Sequence, residues 1–235
     1  MSDIKKKVID SENFYKNQFL SFDYKLAEYN FQTLKNYFKG NIALELGPAS
    51  GFMTKLLVNE FKELHLVEGS EILLKEIPNY PNVIKHHSFF EEFTINRKFE
   101  TIIMSHVLEH LANPVDVLKK VINWLSDDGV FLLSVPNARS LHRIAAKEMG
   151  ILKDIHELNQ RDIDAGHYRV YDVDLLKSDV KSAGFNIKES GGIFLKPLSN
   201  GQIEANWSDE IIEGFYKMSK YFPENCAEIF VVCTK

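Results

Sequence analysis

Apolar residues recur along this chain in short runs, separated from residue 41 onward by stretches whose apolar positions fall three and four apart. Residues 41–46 (NIALEL) read as a first strand ended by Gly47-Pro48. Residues 52–61 read as a helix with Phe52, Leu56, Leu57 and Phe61 on its inner face. A second strand, 64–67, closes at Glu68-Gly69, and a helix over 70–76 takes Ser70 as its cap and Pro78 as its stop. Residues 83–86 form a third strand. The fourth, 99–104 (FETIIM), is apolar enough to be buried on both faces. Asn113 then caps a helix over 114–124 that carries Pro114 in its first turn. Asp127-Asp128-Gly129 turns into a fifth strand, 130–135, ended by Pro136.

Residues 137–171 break this rhythm. They are polar, rich in His and Arg, and predict short helices covering one end of a sheet. A helix over 174–183 stops on Gly184. Strands over 185–194 and 227–234, with a helix over about 208–221 between them, complete the pattern. Alternating strands and helices without repeats or linkers predict one α/β domain, 1–235, built from parallel βαβ units. An N-terminal helical segment (10–38) and an inserted cap (137–171) are attached to it.

Composition narrows the function. The chain has 235 residues, 45% hydrophobic and 26% charged, as an ordinary globular protein does. A net charge of −5 argues against a nucleic-acid partner, which calls for a basic stripe, while leaving room for a local basic pocket. Two cysteines, Cys226 and Cys233, make no disulfide framework and are expected as buried thiols of a cytoplasmic protein. No apolar run is long enough for a membrane span, and residues 1–10 lack the apolar core of a signal peptide.

The strongest chemical signal is Ala43-Leu44-Glu45-Leu46-Gly47-Pro48-Ala49-Ser50-Gly51, followed by Thr54. A strand runs into a glycine-bearing turn and then a helix, where an open α/β sheet binds ligands. Gly47 allows the tight turn, and Gly51 is expected to keep the helix start open to a ligand. A dinucleotide loop would read G-x-G-x-x-G and hold a pyrophosphate on helix amides. Here the glycines are four apart and an acid, Glu45, precedes them, which repels a pyrophosphate and attracts an ammonium. Glu68, at the end of the next strand, lies 21 positions after Gly47, the spacing of a carboxylate that accepts from a ribose diol.

These segments resemble the class I S-adenosylmethionine-dependent methyltransferases. ALELGPASGFMT is similar to the family's first motif and LVEGS to its second, and the stretch around Val107-Leu108-Glu109-His110-Leu111 resembles the subgroup that includes the ubiquinone-pathway O-methyltransferases. The resemblance covers about residues 40–135. It implies a Rossmann-like, seven-stranded, mostly parallel sheet with an antiparallel last strand and helices on both faces. It further implies S-adenosylmethionine as cofactor and S-adenosylhomocysteine as product. Glu45, Gly47 and Gly51 would serve the methionine moiety and Glu68 the ribose. Ser88 and Phe89 would lie near the adenine, and Gly69 and Ser105 belong to the same set. Ala49 stands where the family has a further glycine.

His106 and His110 follow the fourth strand at i, i+4 and are the candidate catalytic groups, as base or orienting residue. No third ligand falls at an interpretable spacing, so no metal is expected. In an acidic chain, Arg139, Arg143 and Arg169 cluster in the cap. With Tyr168 and Lys196, Arg143 and Arg169 are the candidate acceptor-binding residues, suited to a phosphate or carboxylate. Tyr15, Tyr24 and Tyr29 are candidates to close over the cofactor. VPNARSLHRIAAKEMG, GHYRVYDVDLL and GGIFLKPLSNGQI resemble methyltransferases of bacterial capsule and surface-polysaccharide synthesis, including those proposed for O-methyl phosphoramidate decoration. That resemblance implies a small anionic acceptor, phosphorylated or nucleotide-linked; the chain is expected to act as a monomer or homodimer. Sugar N-methylation and S-adenosylmethionine binding without catalysis remain the alternatives.

Overall fold

A computed structural model of the chain describes residues 12–14 and 20–235. The apolar runs form seven strands: β1 (Ile42–Leu46), β2 (Glu63–Glu68), β3 (Val83–His87), β4 (Phe99–Ser105), β5 (Leu125–Pro136), β6 (Asn186–Ile193) and β7 (Glu228–Thr234). They make one sheet in the order β3-β2-β1-β4-β5-β7-β6. The first five pair in parallel, and β7 runs antiparallel to both of its neighbours. This is the seven-stranded Rossmann-like sheet expected.

Ala43, Leu44, Leu64, Leu66, Ile102, Phe131 and Leu132 have no exposed surface, so both faces of the sheet must be covered. On one face lie α4 (Pro114–Trp124) and α7 (Val173–Ser182), which bury Val117, Leu118, Val121, Leu176 and Val180. On the other lie α1 (Ser21–Leu34), α2 (Phe52–Leu57) and α9 (Asp209–Met218), which bury Phe22, Leu26, Leu34, Leu57 and Ile212. Within the segment 10–38, α1 gives the helix expected, while residues 10, 11 and 15–19 fall outside the described residues.

Local chemistry sets most boundaries. The Ser70 hydroxyl accepts from the Leu73 amide at 3.1 Å and starts α3 (Glu71–Glu76). Asn113 occupies the cap position of α4, but its side chain makes no capping bond. Asp127-Asp128-Gly129 is not the free turn expected. It lies inside β5, where the register with β4 shifts and the extra residues bulge. Helix α8 (Asn200–Asn206) escaped the hydrophobic pattern, although Ser199 and Gln202 form a capping box ahead of it. Cys226 precedes β7 and Cys233 lies in it. Both are buried and free, and burial pushes both thiols up to about 12. Among the described residues no helix is long and apolar enough to cross a membrane.

Chain direction reverses between β1 and β4: from β1 the chain steps outward to β2 and β3, then returns to β4 and β5 on the other side. The crevice left at the carboxyl ends of β1 and β4 is where an open α/β sheet places its ligand.

Candidate active site

A cavity occupies that crevice. It is lined by Glu45 to Ser50 at the end of β1 and the loop beyond it, by Ser105, His106, Glu109 and His110 at the end of β4 and beyond it, and by Glu228 at the start of β7. From above it is covered by Asp23 to Asn30 of α1 and by the cap elements α5 (Leu141–Glu148) and α6 (Gln160–Asp164).

The loop after β1 is tightly wound. Gly47, Ala49 and Gly51 all have positive φ, at 71°, 48° and 84°. A Cβ on Gly47 would stand 2.4 Å from Val107, so only glycine fits there. Gly51 was expected to spare a ligand; its absent Cβ instead spares Ile77, whose Cγ1 would lie 2.8 Å away. Ala49 holds a left-handed conformation that disfavours a side chain by about 1–2 kcal/mol. Glu68 offsets this by accepting from the Ala49 amide at 3.2 Å and the Ser70 amide at 2.8 Å.

Both acids that flank this loop, Glu45 of β1 and Glu68 of β2, sit in poorly solvated places. Glu45 is buried and accepts from the Thr54 hydroxyl at 2.7 Å; burial, with a smaller push from Glu68, raises its carboxyl to about 8. Burial also raises Glu68, against the backbone amides that favour its charge. A buried acid of this kind calls for a cation or a donor. Gly69, Ser88 and Phe89 gather beside Glu68 at the ends of β2 and β3, the Ser88 amide donating to the Glu68 carbonyl at 3.0 Å. None of these three, nor Glu68, is in the cavity lining, which Glu68 meets through the Ala49 amide.

At the floor, His106 has a φ of 56°, a strained value for a side chain of its size. Its Nε2 lies 3.0 Å from Glu228 Oε1 and its Nδ1 3.7 Å from Glu109 Oε1. Asn30 donates to Glu228 Oε2 at 2.7 Å and to the Ser134 hydroxyl at 2.7 Å, and it accepts from Ser105 at 3.1 Å. Burial opposes charge on His106, but Glu228 and then Glu109 outweigh it and hold the ring up at about 9. His106 is therefore an imidazolium at neutral pH, a third of its side chain open to the cavity. The expected i, i+4 pairing on a helix is not formed, because the 3-10 turn Leu108–His110 begins only after His106. His110 reaches the same cavity and meets the His167 ring edge-on, centroids 4.7 Å apart.

The cap cations are largely engaged within the protein. Arg143 lines the cavity, yet it donates to Asp162 at 2.9 Å, to the Ile155 carbonyl at 3.0 Å and to the Glu157 carbonyl. Arg169 and Tyr168 are not in the lining among the described residues. The guanidinium of Arg169 donates to the carbonyls of Leu111 and Ala112, and the Tyr168 amide to that of Glu109. Arg139 pairs with Asp172 and Asp174. Lys196 does line the cavity, donates to Asn200 at 2.5 Å, and is pushed down by burial to about 8. Tyr29 is not over the loop: it is buried between Phe194 and Tyr216. Tyr24 rests on Phe52, and Tyr15 lies outside the described residues.

The sequence did not single out Glu228, Asn30, Asp23, Arg161, Asn200 or Glu109 as site residues. Glu228 carried a legible signal, an acid opening the otherwise apolar run 227–233. Glu109 stands beside His110 in the turn Leu108–His110, and the other four owe their place to contacts across the fold, such as Asp23 accepting from Arg161 at 2.6 Å and from Asn200 at 2.5 Å.

An open α/β sheet with an acid before its first glycine turn and another at the end of β2 defines a nucleoside-binding enzyme that favours a cationic cofactor over a pyrophosphate. A family model described as a methyltransferase domain matches residues 22–190, most of the chain. The chain belongs to this family, whose cofactor is S-adenosylmethionine. Solved structures share the fold. An S-adenosylmethionine-dependent methyltransferase from Thermotoga maritima, described as a possible histamine N-methyltransferase, aligns with a TM-score of 0.65 at 15% identity, over 97% of this chain and 99% of that one. One from Mesorhizobium loti aligns at 0.63 and 13% identity, over 88% and 98%. The N-methyltransferase NodS from Bradyrhizobium japonicum, in complex with S-adenosylhomocysteine, aligns at 0.60 and 10%, over 98% and 95%. In sequence, a malonyl-[acyl-carrier protein] O-methyltransferase of Bacillus anthracis is 25% identical over 126 residues, 50% of this chain and 47% of that protein. The match thus spans about half of that relative's length.

The residues present suit the cofactor. Glu45, deprived of solvent and beside Gly47 and Gly51, fits the ammonium of the methionine moiety. Glu68 keeps lone pairs for a ribose diol beyond those that accept the Ala49 and Ser70 amides.

Proposed function

We propose that the protein methylates an ionised oxygen of a small polar acceptor, a phosphorylated (phosphoramidate-type) or nucleotide-sugar intermediate of capsule or surface-polysaccharide synthesis. The observation that carries this reading is the His106 imidazolium at the cavity floor, kept charged by Glu228 and Glu109 and open to whatever the cavity holds. Lys196 adds a second cation under the cap. Arg143 and Arg169 stay candidates only through whatever donors their internal partners leave over.

When bound, the cofactor supplies an activated methyl group on a sulfonium sulfur. The chain's own residues then bind and orient. His106 and Lys196 pair with the acceptor's anionic oxygens, Glu45 and Glu68 hold the other partner, and Phe14, Phe52 and Met53 keep water away. An ionised nucleophile needs no general base, so positioning accounts for most of the rate gain. His106 therefore acts as a cationic anchor, with His110 beside it as an orienting group. The name of the Bacillus anthracis relative, an O-methyltransferase, agrees with transfer to oxygen.

This reading fixes the sign of a pH effect. Binding of the anion needs protonated His106, at about 9, and protonated Lys196, at about 8. The acceptor's KM is expected to be flat below pH 7 and to rise as pH passes through 8 and 9. A KM that falls over that range would contradict the anchor role. The direct test incubates the protein with S-adenosylmethionine and a panel of phosphorylated sugars, nucleotide sugars, phosphoramidates and amino sugars, with products read by mass spectrometry. Methylation at oxygen of an anionic member supports the proposal. Transfer confined to amines would move the assignment to N-methylation.

A further inference from the structure

We propose that Glu109, His110 and His167 form a site for one divalent transition-metal ion at the acceptor end of the cavity. Each offers one ligand atom, and these atoms lie within 4.8 Å of one another. Ligands around such an ion stand roughly 3–3.5 Å apart, given metal–ligand distances of about 2.0–2.2 Å. The widest pair therefore needs to close by about 1.3–1.8 Å. All three line the cavity.

Glu109 provides the independent observation. Its side chain is 1% exposed, and among the described residues neither carboxylate oxygen has a hydrogen-bond partner. A buried, unpartnered carboxylate carries a large desolvation penalty, which a cation relieves. His106 Nδ1, 3.7 Å from Oε1, lies beyond hydrogen-bond reach.

Distant parts of the chain are held together around the cluster. The Tyr168 amide donates to the Glu109 carbonyl at 2.8 Å, and Arg169 clamps the carbonyls of Leu111 and Ala112. Together these bonds fix the His167 backbone beside the turn that carries Glu109 and His110. Behind His167, Asp162 Oδ1 lies 3.3 Å from Nδ1, the carboxylate–imidazole contact that orients metal-ligating histidines. Two imidazoles and one carboxylate suit first-row divalent ions and leave coordination positions open. Those positions would take oxygens of the acceptor, in keeping with the anionic acceptor proposed above. This part of the inference rests on that reading; the binding of metal does not.

The test uses untagged, full-length protein, stripped with a chelator, dialysed and titrated with Co²⁺ alone. Visible absorption and metal content are both read. One Co²⁺ per chain is expected, displaced by Zn²⁺ and lost in Glu109→Gln and in His167→Ala. Binding of S-adenosylhomocysteine serves as the check that each variant is folded. Absence of stoichiometric Co²⁺ from the wild-type chain overturns the site whatever the variants do, as does binding that persists unchanged in both folded variants. Metal binding without turnover of any anionic acceptor would keep the site and sink the acceptor reading. Full turnover by metal-free protein would keep the acceptor reading and sink the metal's role in holding the acceptor, while the site itself stands or falls with the Co²⁺ titration.

Discussion

Arg143→Ala is expected to destabilise the protein by about 3–5 kcal/mol, because it strips a buried carboxylate of its charged partner. Arg143 and Asp162 are 6% and 11% exposed at their side chains and 2.9 Å apart, so solvent screens the pair little. The same guanidinium ties α5 to the carbonyls of Ile155 and Glu157, so one side chain holds α5, the following loop and α6 together. Asp162 supplies a second signature. Burial raises its carboxyl, but the His167 hydrogen bond and Arg143 outweigh burial and take it down to about 2. A depressed folded pKa contributes stability that is present above the ordinary carboxylate range, near pH 4, and is lost as pH falls through about 2. The wild-type chain should lose stability over that window, and Arg143→Ala should lose much less there. Denaturant midpoints at pH 7 and across pH 2–4 check both. A variant of normal stability whose only defect is a raised acceptor KM would return Arg143 to the acceptor-binding role that its sequence context suggests.

Gly51→Val is expected to lose stability and cofactor binding together. A β-branched residue at a φ of 84° bears the left-handed penalty of about 1–2 kcal/mol, and its Cβ meets Ile77 at 2.8 Å, adding about 1–3 kcal/mol of overpacking. Relief of either strain shifts the loop, and with it the Ala49 amide that Glu68 holds. Adding Ile77→Ala should recover part of the overpacking while leaving the backbone strain in place. Calorimetric titration beside thermal melts of the single and double variants separates the two. Normal melting with binding alone abolished would mean that the ligand, rather than Ile77, is what a side chain at this position meets.

Fold and cofactor loop were legible because both are local. Each βα unit writes its own strand, turn and helix within a short window, so the glycine turn, Glu68 and the Ser70 cap could be read where they stand. The departures arise where distant segments compete. Asp127-Asp128-Gly129 reads as a turn in isolation, yet pairing with β4 absorbs it as a bulge. Arg143 reads as a substrate ligand because its sequence neighbours are basic, whereas the fold brings Asp162 to it. His106 and His110 were found from their spacing, but the charge of His106 depends on Glu228 in the last strand, more than a hundred positions away. His167 likewise meets Glu109 and His110 only through the Tyr168 and Arg169 bonds to the loop after β4.

The central claim is that the glycine loop after β1, flanked by Glu45 of β1 and Glu68 of β2, holds S-adenosylmethionine rather than a dinucleotide. Calorimetric titration of the purified chain with S-adenosylhomocysteine, with NADH as control and Glu68→Ala alongside, tests it most directly. One equivalent of S-adenosylhomocysteine should bind and NADH should not, and the Glu68→Ala variant should bind more weakly by about 1–3 kcal/mol through loss of charged hydrogen bonds. Binding of NADH, or S-adenosylhomocysteine affinity that ignores Glu68, would contradict the account.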